Sequence, residues 1–257
     1  MKRLLLLISL TISVASSMVI LKACDLSDRI QITETKTFNL SSFDAVKTSQ
    51  AIEVEIIKSD VEKAVATSNY MSDLKIEVKN KTLSVQYRPN VSLQNANTKV
   101  VIYAKNLKKL EVDNASIVKV KSIFDNNEQT FEIKGAGKIY ADSKSPVLKI
   151  KAHNAGGFSG KIETKNLTIN ATSASSVKLS GSSENAVINA ESASDIDAKQ
   201  MMIEVAIANA SATSNITLSV SKELTASASS MAKIRYKTIS GIKFSATRSS
   251  AGTIDML

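Results

Sequence analysis

The chain has 257 residues, a formal net charge of +9, 4% aromatic residues, no Trp and one Cys. So few rings mean that a core must be assembled from small and β-branched side chains, which suits thin repetitive sheets. A hydrophobic share of 43% with 8 Gly and 2 Pro excludes a disordered or collagen-like chain. The lone Cys excludes an intramolecular disulfide, and basic residues without interleaved stacking aromatics exclude a nucleic-acid partner.

Lys2-Arg3 followed by the apolar run Leu4 to Leu21 has the pattern of an export signal, assigned here to residues 1–23. The run is also close to the length of a single uncleaved membrane anchor. Leu21-Lys22-Ala23-Cys24 resembles the lipobox of bacterial lipoproteins, although Lys22 departs from the small or apolar residue usual there. The resemblance implies cleavage before Cys24 and acylation of that residue, with two or three chains exceeding the single-chain threshold for stable anchoring. An unprocessed anchor and a free thiol are the alternatives. Losing Lys2, Arg3 and Lys22 with the leader lowers the charge by three, to about +6. Residues 24–33 read as a polar tether and 34–257 as one domain, with N-terminal strands over 34–106 and repeat coils over 107–257.

In the N-terminal part, Ile52, Val54 and Ile56 alternate with Glu53 and Glu55, the period of a half-buried strand. Leu74 to Val78 and Leu83 to Tyr87 repeat the pattern around the turn signal Asn80-Lys81, and Lys99 to Ala104 forms a further strand. Arg88 to Asn97 reads as a polar loop. These strands are expected to begin or cap the stack that follows.

From about Leu110 onward one short phrase recurs. Leu167 to Gly181, LTINATSASSVKLSG, and Ala186 to Lys199, AVINAESASDIDAK, align Ile169 with Ile188, Asn170 with Asn189, and Val177 with Ile196. The offset of roughly 19 residues, with looser copies near Leu110, Phe131, Leu148, Ile203, Leu224 and Ile242, marks a repeat architecture of about eight units. Each unit reads as strand, small-residue corner, strand and polar turn. The corner triplets are Asn114-Ala115-Ser116, Gly135-Ala136-Gly137, Ala155-Gly156-Gly157, Ser173-Ala174-Ser175, Ser192-Ala193-Ser194 and Ala228-Ser229-Ser230. They are expected to be small because copies stack at about 4.8 Å. The fold predicted is all-β, a right-handed single-stranded parallel β-helix. A left-handed coil wants a hexapeptide period that is absent, and an antiparallel sandwich does not need one residue type at every corner. Asn170 and Asn189 are placed to form a side-chain ladder.

The opening Phe38 to Val46, the strand Ile52 to Ile56 with the turn Ser59-Asp60, and the corners Ser192-Ala193-Ser194-Asp195-Ile196 and Gly135-Ala136-Gly137-Lys138-Ile139 resemble the GIN-domain family of auto-transporter adhesin heads, frequent in exported proteins of the Bacteroidetes. The resemblance covers about residues 34 to 257. It departs from the family in having Ser and Ala where Gly is commoner, and fewer corner aspartates. It implies an extracytoplasmic β-helical protein and brings no catalytic residues with it; together with the Cys24 anchor, the expected location is a bacterial membrane, the outer in preference to the inner. Asp25, after the lipidation candidate, resembles the inner-membrane retention signal of enterobacteria, a lineage-dependent rule.

Candidate surface-binding residues are Lys149, Lys151, His153, Lys178, Glu191, Asp195 and Asp197. Glu191, Asp195 and Asp197 are the densest acidic group in the repeats; on a shared strand, Asp195 and Asp197 would point the same way, as paired acids or ion ligands do. Turn and strand-face acids are ordinary, and no metal or cofactor is expected. His153 is the sole histidine, without the partners of a zinc site or a general base. No strained Gly-x-Ser-x-Gly elbow occurs, and Gly156 to Gly160 lacks the ending of a phosphate loop. The expectation is a non-catalytic adhesin or envelope-binding module. Acidic glycan or an envelope protein would lie against faces bearing Lys119, Lys121, Lys149, Lys151 and Lys178. A structural or assembly role and a polysaccharide-acting β-helix enzyme are the alternatives. The terminal coil, Ile242 to Leu257, lacks a polar cap, so it is expected to be covered by the N-terminal strands or by another copy.

Overall fold

The computed structural model describes residues 32–239 and 241–257; the leader, Cys24 and the tether up to residue 31 lie outside the described residues. Ile32–Leu257 forms one compact unit. Its first strands are β1 (Glu34–Asn39), β2 (Ala45–Thr48), β3 (Glu53–Lys58), β4 (Lys63–Ser68), β5 (Leu74–Lys79), β6 (Thr82–Tyr87) and β7 (Thr98–Ala104). The repeat segment begins with β8 (Lys109–Val112), β9 (Ile117–Val120), β10 (Glu128–Ile133), β11 (Lys138–Tyr140) and β12 (Val147–Ala152). Four long strands follow, β13 (Gly157–Ala171), β14 (Ser176–Ala190), β15 (Asp195–Ala210) and β16 (Asn215–Ala228), then β17 (Lys233–Thr238), β18 (Lys243–Arg248) and β19 (Thr253–Met256). No helix occurs among the described residues.

The strands stack as a parallel β-solenoid with two long faces. On the first, β9 pairs with β11, β11 with the start of β13, and the early halves of β13 to β16 continue to β17 and β19. On the second, β8, β10 and β12 lead to the late halves of β13 to β16 and end at β18. Strict alternation sends every other side chain inward, so in-register coils build apolar columns. Val118, Ile139, Phe158, Val177, Ile196, Ile216, Ile234 and Ile254 stack inside the first face, and Leu110, Phe131, Ile150, Ile169, Ile188, Ala208 and Ala226 inside the second. All are buried, and each large aliphatic among them contributes about 1.5–3 kcal/mol. Phe131 and Phe158 stack across the interior with centroids 5.4 Å apart, so it is filled rather than hollow.

The N-terminal strands both begin and cap the stack, though out of chain order. β2 lies between β6 and β8, and β3 between β7 and β9, so the first coil in sequence is the second in space. Beneath it β4 runs antiparallel to β7, β1 antiparallel to β4, and β5 antiparallel to β6. The β5–β6 hairpin turns at Asn80 and Lys81, with φ of 49° and 59°, as a two-residue primed turn requires. The N-terminal strands therefore lie at the opposite end from β18 and β19. This corrects the expectation that they cover the terminal coil: non-local pairing with β7 and β6 already holds them.

The corners also need correction. Their two central residues both have positive φ: Asn114-Ala115, Gly135-Ala136, Asn154-Ala155, Ser173-Ala174, Ser192-Ala193, Ala212-Thr213, Ser230-Met231 and Ser250-Ala251. Hydrogen bonds such as Gly156 N to His153 O, 3.0 Å, and Ala232 N to Ser229 O, 3.0 Å, close the turns. These central residues face outward, and Met231 is 66% exposed, so bulk is tolerated there. Small size is demanded one position later, where Ser116, Ser175, Ser194, Ser214 and Ala232 are sealed under the coil. Ser194 Oγ and Ser214 Oγ donate to the carbonyls of Ala171 and Ala190 at 2.9 and 2.8 Å. The turns run from His153 to Gly156 and from Ser229 to Ala232, so the expected triplet Ala155-Gly156-Gly157 lies one residue late and Ala228-Ser229-Ser230 two residues early.

Candidate recognition surface

Apolar columns fill most of the interior, where buried hydroxyls such as those of Ser194 and Ser214 are taken up by backbone carbonyls, so the polar groups open to a ligand stand at outward positions. On the first face one outward row runs Lys119, Tyr140, Ser159, Lys178, Asp197, Thr217, Arg235 and Asp255, each beside the next in register. A parallel row runs Ile117, Lys138, Gly157, Ser176, Asp195, Asn215 and Lys233. On the second face the rows carry Lys109, Thr130, Lys149, Thr168, Val187 and Ile207, and Glu111, Glu132, Lys151, Asn170, Asn189 and Asn209. The predicted lysines thus divide: Lys119, Lys121 and Lys178 belong to the first face, Lys149 and Lys151 to the second.

Their surroundings differ too. Lys149 Nζ is tied to Glu128 at 2.6 Å and Lys119 Nζ to Glu53 at 2.8 Å. The hydrogen bond to Lys119 holds Glu53 below the usual carboxylate range and Lys119 above the usual lysine range, against modest desolvation. Lys121, Lys138 and Lys178 make no ion pair among the described residues. Lys151 sits beside Glu132, whose carboxyl is lowered chiefly by its hydrogen bond to Lys134.

Asp195 and Asp197 share β15 and line one shallow groove with Thr217 and Arg235. Desolvation, then the neighbouring Asp197, push the Asp195 carboxyl up, while Arg235 opposes them. Glu191 is at the corner preceding the strand, where its backbone carbonyl accepts from Ser194 N at 3.3 Å. No group of three or more His, Cys, Asp or Glu side chains converges on a metal position among the described residues. His153 also opens a corner, and its Nδ1 is 2.8 Å from Thr172 Oγ1 in the next coil, a structural contact between stacked turns. Tyr140, missed in the sequence, stands outward and 44% exposed at the centre of the lysine-bearing first face. Its signal was the alternation Lys138-Ile139-Tyr140, with Ile139 buried.

An all-β solenoid with a filled interior and polar groups ranged along external sheet faces is, as a class, a β-solenoid scaffold that presents its chemistry outward. The family model described as "Putative auto-transporter adhesin, head GIN domain" matches residues 42–238. The chain belongs to this family. Solved structures share the fold at low identity. A putative adhesin from Parabacteroides distasonis is 15% identical with a TM-score of 0.80, covering 88% of this chain and 97% of that one. A putative lipid binding protein from the same species is 20% identical, TM-score 0.78, covering 88% and 96%. A putative adhesin from Parabacteroides merdae is 15% identical, TM-score 0.77, covering 88% and 96%. No curated protein matches the chain.

Proposed function

We propose that this protein is a non-catalytic adhesin-type module, anchored to a bacterial envelope through an acylated Cys24 and contacting acidic glycans along its outer sheet faces. The observation that carries this reading is the filled interior: with Phe131, Phe158 and the aliphatic columns buried throughout, recognition has only the exterior to use. That exterior carries an excess of lysine on rigid strands, which favours long-range attraction of anionic polymers. Outer-membrane attachment fits the family's adhesin description. A filled core also disfavours a lipid held within the coil, as a reading borrowed from the lipid binding relative would require.

A glycan array read at low and at physiological salt tests the reading. Binding confined to acidic glycans and weakened by salt is the expected result, and absence of binding or indifference to salt removes it. For the anchor, Cys24→Ser should release the protein from the membrane fraction and change its mature mass; an unchanged distribution and mass would overturn lipidation. The alternative of a structural envelope component is favoured by the outer edges of β18 and β19, which no strand among the described residues pairs, and stable co-purification of a single envelope protein without glycan binding would select it.

A further inference from the structure

Tyr140 and Phe244 are the aromatic residues among the exposed large side chains, and Phe244 is already stacked on Tyr236 at 5.1 Å. Tyr140 presents its ring instead to the first face, between two shallow troughs. On one side lie Lys119, Lys121, Asp142, Ser159 and Gly160, around about 400 Å³; on the other lie Lys138, Gly157, Ser159, Ser176 and Lys178, around about 300 Å³. The second trough exists because its floor is nearly without side chains: an added Cβ at Gly157 would meet only the Lys138 stem at 3.6 Å and a carbonyl at 4.0 Å. Lys138 and Lys178, unpaired among the described residues, stand at its rims. Lys119 and Lys178 bracket Tyr140 and Ser159 over three strand spacings, about 14 Å. Two carboxylates moderate the charge: Asp142, one oxygen of which accepts Lys161 N at 2.7 Å, and Asp197, next to Lys178 in its row.

We propose that Tyr140, with Lys138 and Lys178, forms a docking platform for a short carboxylated oligosaccharide; this rests on the acidic-glycan reading above and gives it a place. A pyranose ring offers an apolar C–H face that packs on the flat ring of Tyr140, as aromatic side chains with one apolar face and one polar tip allow. The trough over Gly157 and Ser159 admits the next sugar against serine hydroxyls and exposed backbone. The rim lysines meet its carboxylates as mobile point charges. Strand-borne groups hold this arrangement more precisely than loops do. The trough is too open and shallow to enclose an acyl chain, which argues for a sugar over a lipid tail.

The test uses the full chain and calorimetric titration with galacturonate, glucuronate and mannuronate hexasaccharides, each against its uncharged methyl ester, and with phosphatidylglycerol vesicles. Binding of at least one charged hexasaccharide over its ester is expected. Tyr140→Ala should weaken it about tenfold or more, and Tyr140→Phe should leave it near wild type. Gly157→Val should block the trough, and Lys138→Ala with Lys178→Ala should weaken binding and flatten its salt dependence, all with unchanged thermal stability. Wild-type affinity in both Tyr140→Ala and Gly157→Val would overturn this platform while leaving the broader glycan reading standing. Failure of wild type to bind any charged hexasaccharide would overturn both. Equal binding of the esters would remove the lysine role, and binding to vesicles alone would assign the face to a lipid surface and overturn the platform.

Discussion

The side-chain amide of Asn189 donates to Asn170 Oδ1 at 2.8 Å while its own Oδ1 accepts from Asn209 at 2.9 Å, so one residue bridges three successive coils. The offset is 19 residues on one side and 20 on the other, the extra residue being absorbed by register shifts within the β14–β15 ladder. Asn189→Ala removes two bonds and should lower stability by about 1–2 kcal/mol, whereas Asn209→Ala removes one and should cost about half as much. Urea denaturation of both variants measures the ratio; equal losses would mean that the ladder does not act through Asn189.

The corners hold non-glycine residues in the left-handed region, which costs about 1–2 kcal/mol for a residue with a Cβ, partly offset by the entropy a glycine loses on folding. Thr213 and Met231, at φ of 61° and 62°, are the bulkiest central residues. Thr213→Gly and Met231→Gly should therefore raise stability by about 0.5–1 kcal/mol. Ser194→Val, in the sealed position after the turn, should lower it by about 1–3 kcal/mol through overpacking and loss of the bond to Ala171 O. Thermal melts of the three variants check both signs.

Phe158 joins the two faces of the interior through its stack with Phe131. Phe158→Ala should cost about 3–5 kcal/mol, because neighbouring coils cannot collapse into the space without breaking register. In a stack stabilised between neighbouring units, the loss should also broaden the denaturation transition, separating the N-terminal coils from the later ones. A sharp transition at an unchanged midpoint would contradict it.

Two carboxyls on opposite faces should give opposite pH signatures. Asp195 has a folded pKa raised by desolvation and by Asp197, so its contribution is present below the unfolded value of about 3.9 and is lost as pH rises through the raised one. Asp195→Asn should therefore be more stable than wild type at neutral pH, with the gap closing in acid. Glu132 has a folded pKa lowered by its bond to Lys134. Its contribution is present above about 4.3 and is lost as pH falls through the lowered value. Glu132→Gln should be less stable at neutral pH and equal to wild type in strong acid. Melting temperatures from about pH 3 to pH 8 test both slopes.

The repeat was legible because stacking in register demands equivalent residues at equivalent places: Ile169 over Ile150 and Val177 under Ile196 are packing statements that alternation alone reveals. The Asn ladder could be read for the same reason. Turn chemistry was harder, since Ser-Ala and Ser-Met pairs do not announce positive φ as Asn-Gly does. The corners looked uniformly small when only their last residue had to be.

What the chain alone determined is local: the alternation of each strand, the period near 19, the small residues at the corners and the GIN-type character of the coils. What tertiary structure decided is everything that depends on neighbours distant in sequence. Insertion of β2 between β6 and β8, the N-terminal strands at the end opposite β18 and β19, and the division of Lys149 and Lys151 from Lys119 and Lys178 all follow from non-local pairing. Alternation says that Tyr140 points outward from its strand; only the stack shows which lysines stand beside it, because strands adjacent in space come from coils many residues apart.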